Sequence, residues 1–229
     1  MTNHSTMIHT ITIHNKSSHP QEFEVHGYND NKNITVPANG SHVLQALDHT
    51  SGAIIALHQG HEAEQAEITK DGWQGNDTID ISNIVGAGGN ITVEQTGDRS
   101  TLKGNPIFMQ EANNEWQHTD QATKNKIKSH VFLDKNNRIV RIGAPHDIPE
   151  LEKWVRKFDE GKSYIGPGAW DGNKGDPGDN AQSSAAHGDK DILITYSDEN
   201  ADPDNKSRLV AHPVVREVAE HNGVNGAGR

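Results

Sequence analysis

The chain has 229 residues, a formal net charge of −11, 15 histidines, no cysteine and an apolar share of only 31%. That length can bury a core without cross-links, and the absence of cysteine excludes disulfides, thiolate metal sites and cysteine nucleophiles. The acidic balance argues against nucleic acid and against an anionic membrane surface as partners, which leaves neutral glycans and cations.

Residues 7–100 read as short strands broken by turns. Polarity alternates over 8–14, Asn15-Lys16-Ser17-Ser18 turns the chain, and 22–26 alternates again, so these two segments are expected to pair as a hairpin. Strand-like runs follow at 33–36, 42–47 and 66–69, and the nearly continuous apolar run 52–58 is expected at the centre of a sheet. In Thr78-Ile79-Asp80-Ile81-Ser82 the two isoleucines point one way, so Asp80 points the other. The segment 90–95 is expected to answer this strand across the loop Gly86-Ala87-Gly88-Gly89. Short strands at such spacing predict a sandwich or barrel.

The texture changes near residue 104. Helix formers occupy 105–131, and 133–139 reads as a tight hairpin leading into a strand at 139–142. The clearest helix follows: Asp147 is placed to cap it, Glu150 to complete a capping box, and Ile148, Leu151, Trp154, Val155 and Phe158 form one apolar face. Gly161 is a natural stop. Residues 166–190 are a long loop rich in Gly, Asp and Asn, 191–196 is a last strand, and 213–220 is a short helix after an acidic linker. No stretch is apolar enough to span a bilayer. The polar start from Met1 to Met7 leaves two expectations, a secreted mature form or a leaderless cytoplasmic protein.

Four pieces, in order, resemble the thaumatin-like proteins. They are Thr10-Ile11-Thr12-Ile13-His14-Asn15; Pro37-Ala38-Asn39-Gly40-Ser41-His42 with Gly52-Ala53-Ile54-Ile55-Ala56; Ala66-Glu67-Ile68 with Asp77-Thr78-Ile79-Asp80-Ile81-Ser82; and Asp191-Ile192-Leu193-Ile194-Thr195-Tyr196. The resemblance implies a mainly β fold, a thaumatin-like antiparallel β-sandwich made of 7–103 plus 190–197, with an inserted helical and loop region at 104–189 and a C-terminal acidic linker and short helix at 198–229. It also implies a carbohydrate-interacting protein of defence or antifungal type, its partner a neutral polysaccharide such as a β-glucan. Two carboxylates of the family's acidic cleft match Glu67 and Asp80; a third falls on Val85, and the cleft arginine falls at Leu57 or His58. The family's disulfides have no counterpart here.

Glu67 and Asp80 are therefore the candidate ligand-binding residues, with His58 and Trp170 beside them. As an acid–base pair they would make a weak endo-β-1,3-glucanase, a glycoside hydrolase. The third expectation is a structural or partner-binding protein with no small-ligand site. His58-Gln59-Gly60-His61-Glu62 lacks the four-residue helical spacing of a zinc protease and reads better as a surface turn. The loop side chains Asp171, Asn173, Asp176 and Asp179 offer calcium-type oxygens, but without a bidentate Glu a solvated loop is the simpler reading. Apart from such a divalent cation, no cofactor is expected. Trp154 and Phe158 read as core, while Trp73 and Trp170 lie in turns from which they could stack on sugar rings.

Overall fold

The computed structural model describes residues 7–28, 31–167 and 184–198. Side chains that alternate along the strands gather two sheets face to face around one apolar layer. The five-stranded sheet runs β4 (Gly40–Leu47), β1 (Ile8–Asn15), β13 (Ile192–Ser197), β8 (Asn90–Gln95), β9 (Asp98–Gly104). The six-stranded sheet runs β12 (Ser184–Ala185), β7 (Thr78–Ser82), β6 (His61–Thr69), β5 (Ser51–His58), β2 (Gln21–Gly27), β3 (Lys32–Val36). All pairings are antiparallel except the parallel β1–β13 pair. Ile11, Ile13, Ile91, Val93, Ile192 and Ile194 from one sheet meet Phe23, Val25, Ile54, Ile68, Ile79 and Ile81 from the other. The fold is thus the mainly β sandwich expected, with helices beside it.

Two expected hairpins are not there. β1 pairs with β4 and β13, whereas β2 pairs with β3 and β5, so the chain crosses between sheets at residues 16–20. The buried Asn15 makes that corner. Its Nδ2 donates to the carbonyls of His19, Val36 and Pro37, and its Oδ1 accepts from the Ser17 amide. One amide side chain thereby satisfies backbone groups that a hairpin ladder would otherwise have satisfied. Likewise β7 and β8 lie in different sheets, and the glycine loop between them crosses the end of the sandwich.

The inserted region folds as α1 (Phe108–His118), α2 (Gln121–Ile127), the hairpin β10 (Val131–Leu133) with β11 (Ile139–Ile142), and α3 (Pro149–Asp159). Phe108, Met109, Ile127, Ile142, Leu151 and Trp154 form a second apolar cluster there. The apolar face read for α3 is its buried face, with Leu151, Trp154 and Val155 at its centre. Its cap differs from expectation: Ile148 occupies the N-cap with no side-chain bond, and Asp147 belongs to a short turn at Pro145–Asp147. Pro149 starts the helix by needing no amide partner, and Glu150 and Glu152 face its positive end. Gly161, at φ +81°, ends it as expected. Among the described residues no helix is long and apolar enough to cross a membrane. The expected helix at 213–220 and the loop residues 168–183 lie outside the described residues.

A buried carboxylate ties the two regions together. Asp159, at the end of α3, accepts from Asn83 at 2.9 Å and from Asn105 at 3.1 Å. Burial pushes its pKa up to about 6, against the pull of hydrogen bonds from Asn105 and Asn83. The folded value lies above the ordinary one. The native form therefore keeps a proton that the unfolded chain has released, and that contribution to stability is lost as the pH rises from about 4 through about 6, by about 3 kcal/mol in all. A carboxyl-carbon NMR titration is expected to show Asp159 with a midpoint near 6, well separated from the exposed aspartates; a midpoint near 4 would rule this account out.

Candidate functional site

Glu67 and Asp80 sit directly opposite each other on β6 and β7. Ala66, Ile68, Ile79 and Ile81 turn inward from the same strands, so both carboxylates stand on the outer face of the six-stranded sheet. Cross-strand partners have Cβ atoms about 4.5–5.5 Å apart, close enough for both side chains to grip one ligand. Glu67 is half-buried and Asp80 is 8% exposed. On the far side of β7 lie β12, opposite Thr78 and Ile79, and Tyr164, opposite Ser82. Burial first, and then the charges of Glu67 and Asp80, keep the Tyr28 hydroxyl protonated, while it donates to the Ile68 carbonyl at 2.7 Å. One phenol thus feels both carboxylates. Ser82 and Gln65 form the next cross-strand pair along the sheet. Trp73 is 74% exposed, on the turn Trp73–Gly75 that joins the same two strands.

His58 does not join that face. It ends β5 at the β5–β6 turn, where Gln59 and Gly60 both have positive φ, so the surface-turn reading of 58–62 describes the backbone. The imidazole points to the interior side, near the ring of Tyr196. There its Nε2 lies 2.7 Å from Oε1 of Glu64, a carboxylate with no exposure at all, whose other oxygen accepts the Gly88 amide at 2.7 Å. Burial lowers the His58 pKa, but the charge and hydrogen bond of Glu64 outweigh it, and the net shift is upward. The loop must come close for this: a Cβ on Gly89 would stand 2.5 Å from the Tyr196 ring and 2.6 Å from Glu64.

The cavity between the sandwich and the inserted region lies beside His58. It encloses about 270 Å³ and is lined by His19, Gln21, His58, Gly88, Arg141 and Asp198, among others. His19 pairs with Asp198 at 2.6 Å. Neither Glu67 nor Asp80 lines it. The cavity between the two regions and the expected carboxylate pair are thus two separate places. Glu64, Arg141, His19 and Asp198 escaped the sequence reading. Glu64 left one trace, since it shares the inward parity of Ala66 and Ile68, a costly place for a carboxylate without partners.

Among the described residues, two side-chain groups bring metal-type ligand atoms within 4.8 Å of one another: His9, Asp48 and Asp189, and Glu24, His26 and Glu62. In the first, the Lys70 ammonium lies 2.7 Å from Asp189 and His9 lies 2.8 Å from its other oxygen, so the protein supplies its own cation. Trp170, Asp171, Asn173, Asp176 and Asp179 lie outside the described residues.

No family model and no curated protein matches the chain. Among solved structures, a laminaripentaose-producing β-1,3-glucanase in complex with laminaritetraose is similar, with 12% identity and a TM-score of 0.38, over 64% of this chain and 54% of that chain. This chain thus spans about half the length of that protein, and so slight a likeness says nothing about the chemistry here.

Proposed function

We propose that this is a carbohydrate-interacting protein of thaumatin-like type that takes a neutral β-glucan-like chain on the outer face of its six-stranded sheet. The observation that carries the reading is the register that sets Glu67 against Asp80 on a polar, outward face. Ionised carboxylates accept hydrogen bonds in pairs, which suits the paired hydroxyls of a sugar ring. Trp73, at the turn of the same hairpin, is positioned to stack on a ring. Wild-type protein is expected to sediment with insoluble β-1,3-glucan, and Glu67→Ala with Asp80→Ala to weaken retention at least tenfold. No retention of the wild type, or undiminished retention of the double variant, would overturn the reading.

The close pairing also supports hydrolysis as a second reading. Cβ atoms of cross-strand neighbours lie about 4.5–5.5 Å apart, which leaves their carboxyl groups within reach of the ~5 Å spacing that glycosidases use for a nucleophile and an acid. Release of reducing ends from soluble β-1,3-glucan, abolished by Glu67→Gln, is the result that distinguishes an enzyme from a binder.

A further inference from the structure

The cavity between the two regions holds a guanidinium without an ion pair. Of the arginines among the described residues, Arg99 has Glu94 within 3.4 Å, Arg138 has Asp134 within 3.0 Å, and Arg156 has Glu152 within 2.9 Å. Arg141 has no such carboxylate. Its Cζ lies 3.9 Å from the centre of the Phe132 ring, and its Nε is buried with no hydrogen-bond partner. Burial alone acts on its pKa, and lowers it. A partly desolvated charge without a counter-ion is unfavourable until an anion reaches the terminal nitrogens of the guanidinium.

The carboxylate that lines the cavity, Asp198, and the buried one behind His58, Glu64, cannot serve. Glu64 is held by His58 and the Gly88 amide, and Asp198 by His19. The Gln21 amide is committed to the carbonyls of Glu22 and Leu57. What remains open to a guest is the Arg141 guanidinium, because both His19 ring nitrogens are taken by Pro20 and Asp198 and the His58 Nε2 by Glu64. A guanidinium fork matches a carboxylate by two parallel hydrogen bonds. The volume, about 270 Å³, falls just below the usual range of ligand pockets, which starts at about 300 Å³, and suits one ring rather than a polymer. With both histidines neutral, Glu64 and Asp198 outnumber Arg141 in charge, which disfavours a dianion such as phosphate more than a monoanion.

We propose that this cavity binds a small monoanionic carboxylate of single-sugar size, a hexuronate in chemical class, with Arg141 as its bidentate partner. The site is separate from the Glu67–Asp80 face and does not depend on what that face does. The titratable groups lining it beside Arg141 are His19, His58 and Asp198, with the buried Glu64 and Tyr196 behind His58. Charging of the two imidazoles favours the anion, so affinity rises as the pH falls from 7.5 to 6.

The experiment is an NMR titration of the full chain at pH 7.5, where phosphate is mostly the dianion, with sodium D-glucuronate, D-glucose and inorganic phosphate in turn. Glucuronate is expected to saturate, shifting the Arg141 side-chain Nε–H and the ring signals of His19 and His58, while glucose and phosphate do so at least tenfold more weakly. Arg141→Gln is expected to weaken glucuronate at least tenfold, Arg141→Lys to fall between, and Glu67→Ala with Asp80→Ala to bind as the wild type does. The wild-type shifts decide the question even if an arginine variant folds poorly. Absence of saturation, equal or tighter binding of phosphate or glucose, or undiminished binding by a folded Arg141→Gln overturns the proposal.

Discussion

Replacing Lys70 by methionine is expected to cost the fold about 3–5 kcal/mol, read as a lower urea midpoint with an unchanged slope. Lys70 is wholly buried. Its ammonium lies 2.8 Å from the equally buried Asp77 and 2.7 Å from Asp189, and it also donates to the Lys190 carbonyl. Asp77 accepts further from the Gln95 amide at 2.9 Å and from the Lys190 amide at 3.0 Å. Burial raises the Asp77 pKa, but the bonds from Lys70, Gln95 and Lys190 outweigh it and hold the carboxyl below its usual range. Three segments therefore meet at one ammonium: the ends of β6 and β7, and the stretch that enters β13. Methionine fills the space of the stem but leaves the wholly buried Asp77 carboxylate without its counter-charge, and Asp189, 16% exposed, without one of its partners. Adding Asp77→Asn to Lys70→Met should recover part of the loss, because the two residues act as one unit. If Lys70→Met alone costs under about 1 kcal/mol, the pair is solvated in solution and the network account fails.

The second large effect is expected at Glu64. Truncation to alanine removes both partners it serves, leaving the Gly88 amide and the His58 ring without acceptors, at a cost of about 3–4 kcal/mol. The pH dependence carries a sign that stability alone would miss. The folded His58 pKa is raised, so its protonated form stabilises the native state below the ordinary histidine value, and that contribution fades as the pH rises through the folded value. Glu64→Gln keeps a polar group of the same size but removes the charge that offsets burial. His58 should then titrate at lower pH than in the wild type. Imidazole NMR titration of the two proteins measures this; an unchanged or higher His58 midpoint in Glu64→Gln would show that another group sets it.

Much of the strand content was legible because alternation is local. The parity of Ile79 and Ile81 fixed Asp80 to the outer face, and the parity of Ala66 and Ile68 did the same for Glu67. The 133–139 turn was equally readable, since Asp134 caps it through the amides of Asn136 and Arg138. The cap of α3 was misread because Asp147, Pro149 and Glu150 look like a capping motif in sequence, while the turn Pro145–Asp147 takes up the aspartate first. β9 was missed because Asp98, Arg99 and Ser100 are polar and only Thr101 is buried in its ladder.

By itself, then, the sequence determined most of the strands, the face of their alternating apolar side chains, and that no cysteine chemistry operates. Tertiary structure alone decided which strands are neighbours. Asn15 sends β1 and β2 to different sheets, and the crossing glycine loop does the same for β7 and β8. Parity states a face but not a partner, because partners are chosen by contacts far apart in the chain. For that reason Glu67 and Asp80 could be placed on one side of their strands from sequence. The meeting of Glu64, His58 and Arg141, drawn from β6, β5 and β11, could be seen only in the folded chain.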